Sequence, residues 1–542
     1  MPDTHIVTNQ VPELVDHNPA ASPVLVEALI REGGGWGLDE VTELGALSGG
    51  VTAQHWGDLA DRNRPVLHTH DRYGNRIDEI EYDPAYHELM RTAIAHGLHA
   101  APWADERPGA HVVRAAKMGV WTPEPGHVCP ISMTYAVVPA LRHNPELAEV
   151  YEPLLTSRAY DPELKIPTTK AGITAGMSMT EKQGGSDVRA GTTAALPNAD
   201  GSYSITGHKW FTSAAMSDVF LVLAQAPGGL SCFLMPRVLP DGTRNRMLLQ
   251  RLKNKLGNHA NASSEVEYDG AVAWLVGEEG RGVPTIIEMV NLTRLDCTLG
   301  SATSMRQGLT RAMHHAAHRK AFGAYLIDQP LMRNVLADLA VEAEAATIIA
   351  MRMAGATDAA TRGDERETLL RRIGLAAAKY WVCKRATPHA GEAMECLGGN
   401  GYAEDSGMPR LYREAPLMGI WEGSGNVSAL DALRAMATRP ECVEVLFDEL
   451  GTTAGLDARL DVHVDALRGD LADPTNIEYR ARKVAEDITL ALQGSLLVRH
   501  GHPAVTEVFL ATRMARDWGG AFGTLPVGLD LAPIIERALV KG

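Results

Sequence analysis

Apolar residues recur at helical spacing along most of this chain, and one internal stretch breaks that rhythm. Up to about residue 170 the pattern predicts mostly helical segments with long connections. Ser22 is a good N-cap, and Pro23-Val24-Leu25-Val26-Glu27-Ala28-Leu29 follows with proline at the first helical position. Asp83-Pro84 caps a second helix that carries Tyr86, Leu89, Met90 and Ala93 at helical spacing. From about 173 to 285 short alternating runs replace the helical period. Turn clusters separate them: Pro197-Asn198-Ala199-Asp200-Gly201, Pro227-Gly228-Gly229 and Pro240-Asp241-Gly242. Apolar runs at 219–224 and 230–235 flank the second cluster, so a small antiparallel β region is expected. Helical patterns return from Val283 to about 438, over 303–321, 330–354 and 368–393, with a loop at 355–364. A helical bundle is the natural product. Past Arg439-Pro440 the helical pattern continues. The expected domains are therefore 1–172, 173–285, 286–438 and 439–542, mainly α with a central β domain.

The length of 542 residues exceeds what one hydrophobic core sustains, which agrees with several packed units. The net charge of -16 argues against an overall basic surface for nucleic acid and leaves only local patches. Six cysteines, Cys129, Cys232, Cys297, Cys383, Cys396 and Cys442, are scattered without a Cys-x-x-Cys pair. They read as small buried residues in a reducing compartment, not as a metal or redox motif. The stretch MPDTHIVTNQVPELVDHNPA is polar and proline-interrupted, without the layout of a signal peptide. No run approaches the ~20 apolar residues that a membrane span needs. A cytosolic protein is expected.

Three glycine-rich stretches carry candidate chemistry. Met179-Thr180-Glu181-Lys182-Gln183-Gly184-Gly185-Ser186-Asp187-Val188 ends an apolar lead-in. That is the layout of a strand running into a tight loop whose amides can approach a ligand. Downstream stand Leu397-Gly398-Gly399-Asn400-Gly401-Tyr402 and Trp421-Glu422-Gly423-Ser424-Gly425-Asn426. In this order the three resemble the acyl-CoA dehydrogenase flavoproteins. The chain past 439 narrows the resemblance to the AidB-type branch, whose members carry an extra C-terminal helical region. The resemblance covers nearly the whole chain. It implies a helical domain, an antiparallel β-barrel and a helical bundle, followed by that extension.

FAD is the cofactor the resemblance implies. It places Thr180 against the flavin ring, with Gly185 and Ser186 in the same loop. In Gly207-His208-Lys209-Trp210-Phe211-Thr212-Ser213 the match is open by one residue. Either Trp210 or Phe211 is the apolar wall, and either Thr212 or Ser213 the donor. Family members are homotetramers, dimers of dimers, in which a neighbouring subunit completes the FAD phosphate and adenosine site. The matching residues are Arg319, Phe322, Gln329, Glu395, Gly398 and Gly399. Arginine offers paired donors suited to phosphate, and glycine lets backbone come close. Common members carry Gln where Glu395 stands; a carboxylate repels pyrophosphate, so Glu395 is expected to face ribose. Ser424 and Asn426 complete the implied cofactor set.

Dehydrogenating an acyl thioester needs a base for the α-proton, and a carboxylate in a water-poor pocket becomes one as its pKa rises. Glu422 stands where most of the family carries its catalytic glutamate, and its amide would help polarise the thioester carbonyl. Other branches place the base on the helix that here reads Asn291-Leu292-Thr293-Arg294. Thr293 cannot serve, which supports Glu422, and Arg294 adds positive charge nearby. Ser186 matches a contact to the CoA pantetheine, and Asn291 stands where many members carry an Asp that touches CoA. The resemblance thus implies an acyl-CoA dehydrogenase that reduces an electron-transfer flavoprotein. A rival reading is a flavin-containing, DNA-binding protein of the alkylation response, the association of AidB-type proteins. It requires a dense Lys/Arg face. Past Glu441 the positives are Arg459, Arg468, Arg480, Arg482, Lys483, Arg499, Arg513, Arg516, Arg537 and Lys541, and acids outnumber them. Arg480, Arg482 and Lys483 form one cluster; Arg513 and Arg516, one helical turn apart, form another. DNA is disfavoured on this count. A third reading, an acyl-CoA oxidase, turns on oxygen access to the reduced flavin.

Overall fold

The computed structural model describes residues 4–539, so Lys541 lies outside the described residues. Contacts divide the chain into two compact units. One comprises Val51–Ala110 and Trp121–Asp296; the other comprises His111–Val120, the residues from Cys297 onward and those before Val51.

The first unit is built on nine strands: β1 (Val66–His70), β2 (Arg76–Glu81), β3 (Ala175–Ser178), β4 (Ala194–Pro197), β5 (Tyr203–Thr212), β6 (Val219–Ala226), β7 (Gly229–Pro236), β8 (Met247–Leu252) and β9 (Ser264–Val276). β6, β4, β5, β9 and β7 close into a barrel. β8 lies antiparallel on β9, whereas β3–β6 and β4–β6 pair in parallel. The sequence of β6 shows why a strand forms here. Phe220, Val222 and Ala224 fill the barrel beside Phe233 and Met235. Val219, Leu221 and Leu223 point the other way, into a core with Tyr135 and Val137 of the helix Val128–Leu141. One apolar run thus serves two cores by the two-residue period of a strand. The helix it meets is apolar on every side, as a doubly covered helix must be.

The helical expectation for the first 170 residues missed β1 and β2. Their turn is an Asx turn: Asp71 accepts the amides of Tyr73 and Asn75, and Gly74 sits at φ +86. The expected helix after Asp83 is Pro84–Ala95, and the Asp83 carboxylate caps the Ala85 amide at 2.8 Å.

The second unit holds the long helices Pro330–Thr361 and Glu365–Glu395. Gly355 does not open a loop as expected; the helix runs through it. An ideal Cβ at Gly355 would stand 2.3 Å from Glu32 Oε2, so the glycine admits a neighbouring chain and costs only helix propensity. The loop shrinks to three residues ending at Asp364, whose side chain caps the Glu367 amide at 3.0 Å. The helix expected over 303–321 starts earlier and is Gly282–His318. Past 439 the chain is helical, as expected, up to Pro503–Phe509. There Leu510–Met514 forms a π-helical turn, and Arg516 takes φ +61. Arg513 and Arg516 are therefore not neighbours on one helix.

All six cysteines are free, and all but half-buried Cys129 are buried. Among the described residues no group of His, Cys, Asp and Glu is arranged to hold a metal ion, and no helix is long and apolar enough to cross a membrane.

Candidate functional site

In the barrel unit, β3 delivers Thr180 to the start of the glycine loop. The Thr180 carbonyl accepts the Trp210 amide at 2.8 Å, which brings together two segments that the sequence had only juxtaposed by analogy. Gly185 is required by packing: an ideal Cβ there would lie 2.6 Å from Thr180 Oγ1. Ser186 is exposed beyond it. The organiser of this corner is Glu181, which sequence reasoning passed over. Its carboxylate, 2% exposed, accepts Lys209 Nζ at 2.9 Å, the Thr192 amide at 2.7 Å and the Thr193 amide at 3.0 Å. Burial opposes its ionisation, but these donors outweigh that and hold the carboxyl well below the usual range. Burial also lowers the Lys209 ammonium. The signal was present: an acid just past an apolar strand, in Met-Thr-Glu, and a lysine beside Trp210 and Phe211, in Gly-His-Lys.

The stretch Trp210 to Ser213 divides cleanly. Thr212 is fully buried and its hydroxyl pairs with that of Ser178. Phe211 is 52% exposed, and Ser213 is half-buried. Ala214 follows at φ +48, with its amide held by Asn261 at 3.2 Å. Trp210 is half-buried, and its ring lies 3.3 Å from Lys253 Nζ and within 6 Å of Lys182 and Arg251. On the helix Gly282–His318, Asn291 is half-buried, while Arg294 is 4% exposed and Thr293 returns its hydroxyl to the Val290 carbonyl at 3.0 Å.

In the second unit, Glu422 lies between the helices Met408–Met418 and Gly425–Thr438. It is half-buried and adopts φ +56, the left-handed region that non-glycine residues rarely occupy. Gly423 follows at φ +102, and half-buried Ser424 takes the N-cap position of the next helix without a side-chain cap hydrogen bond. Lys379, 1% exposed, donates to the Trp421 carbonyl at 3.0 Å and to the Gly423 carbonyl. Sequence reasoning missed Lys379, which sits in a helix and carries no motif. Asn426 is exposed, and its side-chain oxygen accepts Arg482 Nε at 2.8 Å.

The remaining candidates cluster at two turns of that unit. Lys320–Ala321 and Ala324–Tyr325 form a small hairpin, with Phe322 at φ +53 and Gly323 at φ +86 on its tip. Phe322 is fully exposed there. Half-buried Arg319 donates to the Asn9 carbonyl, and Gln329 to the Ala321 carbonyl at 3.2 Å. Glu395, Gly398 and Gly399 are exposed at the end of the helix Glu365–Glu395. An ideal Cβ at either glycine meets nothing within 4 Å, so this backbone lies open to a ligand.

Most of the described basic residues past 441 are committed elsewhere. Arg513 is buried and bonds Asp338 at 2.6 Å and Glu342 at 2.9 Å. Arg459 pairs with Asp457 and Glu507, Arg499 with Glu449, Arg537 with Glu344 and Glu27. Arg480 and Lys483 meet Asp470, and Lys483 also meets Asp487. Arg468 lies over the Phe447 ring. These pairings neutralise most of the charge a DNA phosphate face would need.

Family comparison agrees with the architecture. Residues 9–162 match the adaptive response protein AidB N-terminal domain, 176–271 the acyl-CoA dehydrogenase middle domain and 280–437 the acyl-CoA dehydrogenase C-terminal domain. The chain therefore belongs to the acyl-CoA dehydrogenase family, whose members are FAD-dependent oxidoreductases, in its AidB-type branch. It is 42% identical to AidB of Escherichia coli strain K12, covering 93% of this chain and 94% of that one. It is 31% identical to acyl-CoA dehydrogenase family member 11 of Caenorhabditis elegans, over 82% of this chain and 78% of the relative. The solved structure of Caenorhabditis elegans ACDH-11 in complex with C11-CoA superposes with a TM-score of 0.86 at 28% identity, covering 95% of this chain and 94% of that one. An acyl-CoA dehydrogenase from Bacillus anthracis complexed with FAD shares the fold at a TM-score of 0.62 and 18% identity, over 96% of this chain and 84% of that one.

Proposed function

We propose that the protein introduces an α,β double bond into an acyl-CoA thioester, with Glu422 as the base. The half-buried carboxylate, held at φ +56 in a glycine-rich loop, carries this reading. The residues present fit FAD: Gly398 and Gly399 leave backbone open for a dinucleotide, Arg319 and Gln329 offer donors, and Phe211 offers a flat exposed face. When bound, FAD supplies the two-electron acceptor for the β-hydride. Thr180 and Ser213 would hydrogen-bond the ring, and Phe211 would wall it. Burial of Thr212 favours Phe211 and Ser213 over the alternative register, and leaves Trp210 to the three cations around it. Ser424 and Asn426 border the base, while Gly185, Ser186, Asn291 and Arg294 would meet cofactor phosphate or CoA. Phe322 at the exposed hairpin tip suits a role in a neighbouring subunit's site within a homotetramer, with Glu395 toward ribose. An electron-transfer flavoprotein would reoxidise the enzyme. The bound C11-CoA of the Caenorhabditis elegans relative supports an acyl-CoA substrate of medium length.

The test is an anaerobic titration of the flavin-loaded protein with short, branched, C11 and long acyl-CoAs, following the oxidised flavin band. Prompt bleaching by one of them is expected. A flavin that none of them reduces would defeat the proposal. The register has its own check. Ser213→Ala is expected to weaken FAD binding or shift the flavin spectrum. Thr212→Ala is expected to keep both but lose about 1–3 kcal/mol of stability, because the buried Ser178 hydroxyl loses its partner. The opposite assignment in absorbance and thermal melts would restore Thr212 as the donor.

A further inference from the structure

We infer that Lys379 is a positioning residue for Glu422, and that its ammonium locks the backbone on both sides of that carboxylate. The inference rests on Glu422 being the base, as proposed above. A non-glycine residue in the left-handed region is unfavourable and persists only where its surroundings over-determine it. Glu422 at φ +56 is such a residue, and glycine at 423 makes the following peptide freer still. The over-determination comes from the helix Glu365–Glu395. From it Lys379, 1% exposed, sends Nζ to the carbonyl before Glu422, at 3.0 Å, and to the carbonyl after it. Ser428 Oγ adds a third donor, to the Gly423 carbonyl at 3.2 Å. Burying an ammonium is costly unless strong acceptors receive it. Here two of its acceptors are the carbonyls that flank one glutamate. A lysine placed only to fill space would have no need of that arrangement. Its consequence is that the Glu422 side chain leaves a fixed turn, and small misplacements of a reacting group can cost about a hundredfold in rate.

The experiment uses the FAD-loaded full chain carrying Lys379→Met. FAD content is expected to stay stoichiometric. Amide hydrogen exchange in the peptide spanning 419–424 is expected to rise about tenfold or more while the barrel peptides stay unchanged. With the acyl-CoA that bleaches the native flavin fastest, the reduction rate is expected to fall roughly 10–100-fold with little change in KM. In a Glu422→Gln background the same substitution should cost almost nothing further, because both changes disable one unit. Unchanged exchange at 419–424, or an equal loss of rate in both backgrounds, would overturn the inference. If Lys379→Met does not fold, Lys379→Gln, whose shorter amide falls short of the loop, is read by the same two measurements. Full activity of Glu422→Gln alone would remove the base reading, and the exchange result would still decide whether Lys379 holds the turn.

Discussion

Glu422→Gln is expected to retain bound FAD and to slow acyl-CoA dehydrogenation by roughly 10²–10⁴-fold or more, the usual cost of losing a general base. The substitution keeps size and hydrogen-bonding reach, so the loop between the two helices should survive. Single-turnover reduction of the flavin under anaerobic conditions measures the step directly; activity equal to the native protein would end the assignment. A second substitution separates chemistry from stability. Glu422→Gly suits φ +56 better than any side chain does, since the left-handed region costs a non-glycine residue about 1–2 kcal/mol. It should therefore melt near the native temperature while being inactive. Strain that is relieved at the expense of activity is the mark of a functional residue.

The sequence made the architecture legible where period and punctuation agreed. β6 and β7 announce themselves as apolar runs around Pro227-Gly228-Gly229, and Asp83 and Asp364 cap the helices that follow them. It misled where one residue type has two uses. Gly355 reads as a break but packs against Glu32 in mid-helix, and the β1–β2 hairpin hides behind polar alternation that resembles a loop. The glycine-rich loops to which the proposed chemistry is assigned stood out in the sequence through their order and its resemblance to the family. Two buried cations did not: Lys379 and Arg513 sit in helical stretches where a lone cation normally faces water. Only the fold, by burying them at 1% and 6% exposure, shows otherwise. Which of Thr212 and Ser213 is buried was likewise beyond a one-dimensional pattern; the fold buries Thr212 fully and Ser213 only in part.

Arg513→Ala is expected to destabilise the protein by about 3–5 kcal/mol, the cost of breaking a buried pair and leaving its partner charges behind. Arg513 reaches Asp338 and Glu342 from the π-helical turn that tethers the end of the chain to the helix Pro330–Thr361. Asp338 keeps the Trp518 Nε1 and the Gly523 amide, and Glu342 keeps Arg385, but neither arrangement replaces the lost guanidinium. Exposed Arg516, whose nearest acid is Asp487 at 3.9 Å, supplies the control, and Arg516→Ala should stay within about 0.5 kcal/mol of the native protein. Equal losses in the two variants would refute the distinction drawn from burial. The pH dependence gives the effect its sign. Burial opposes ionisation of Glu342, yet Arg385 and Arg513 outweigh it and hold the carboxyl down at about 2. Glu449 is held at about 2 by Arg352, Arg499 and Arg366 against the same opposition. A carboxyl lowered in the folded state contributes fully above its unfolded value and loses that contribution as pH falls toward the folded one. Native stability should thus decline from about pH 4.5 toward 2 through these two groups. The gap in melting temperature between native protein and Arg513→Ala should narrow over the same range, because protonated Glu342 no longer needs the arginine. A gap that stays constant, or widens on acidification, would place the energy of this site in packing and not in charge.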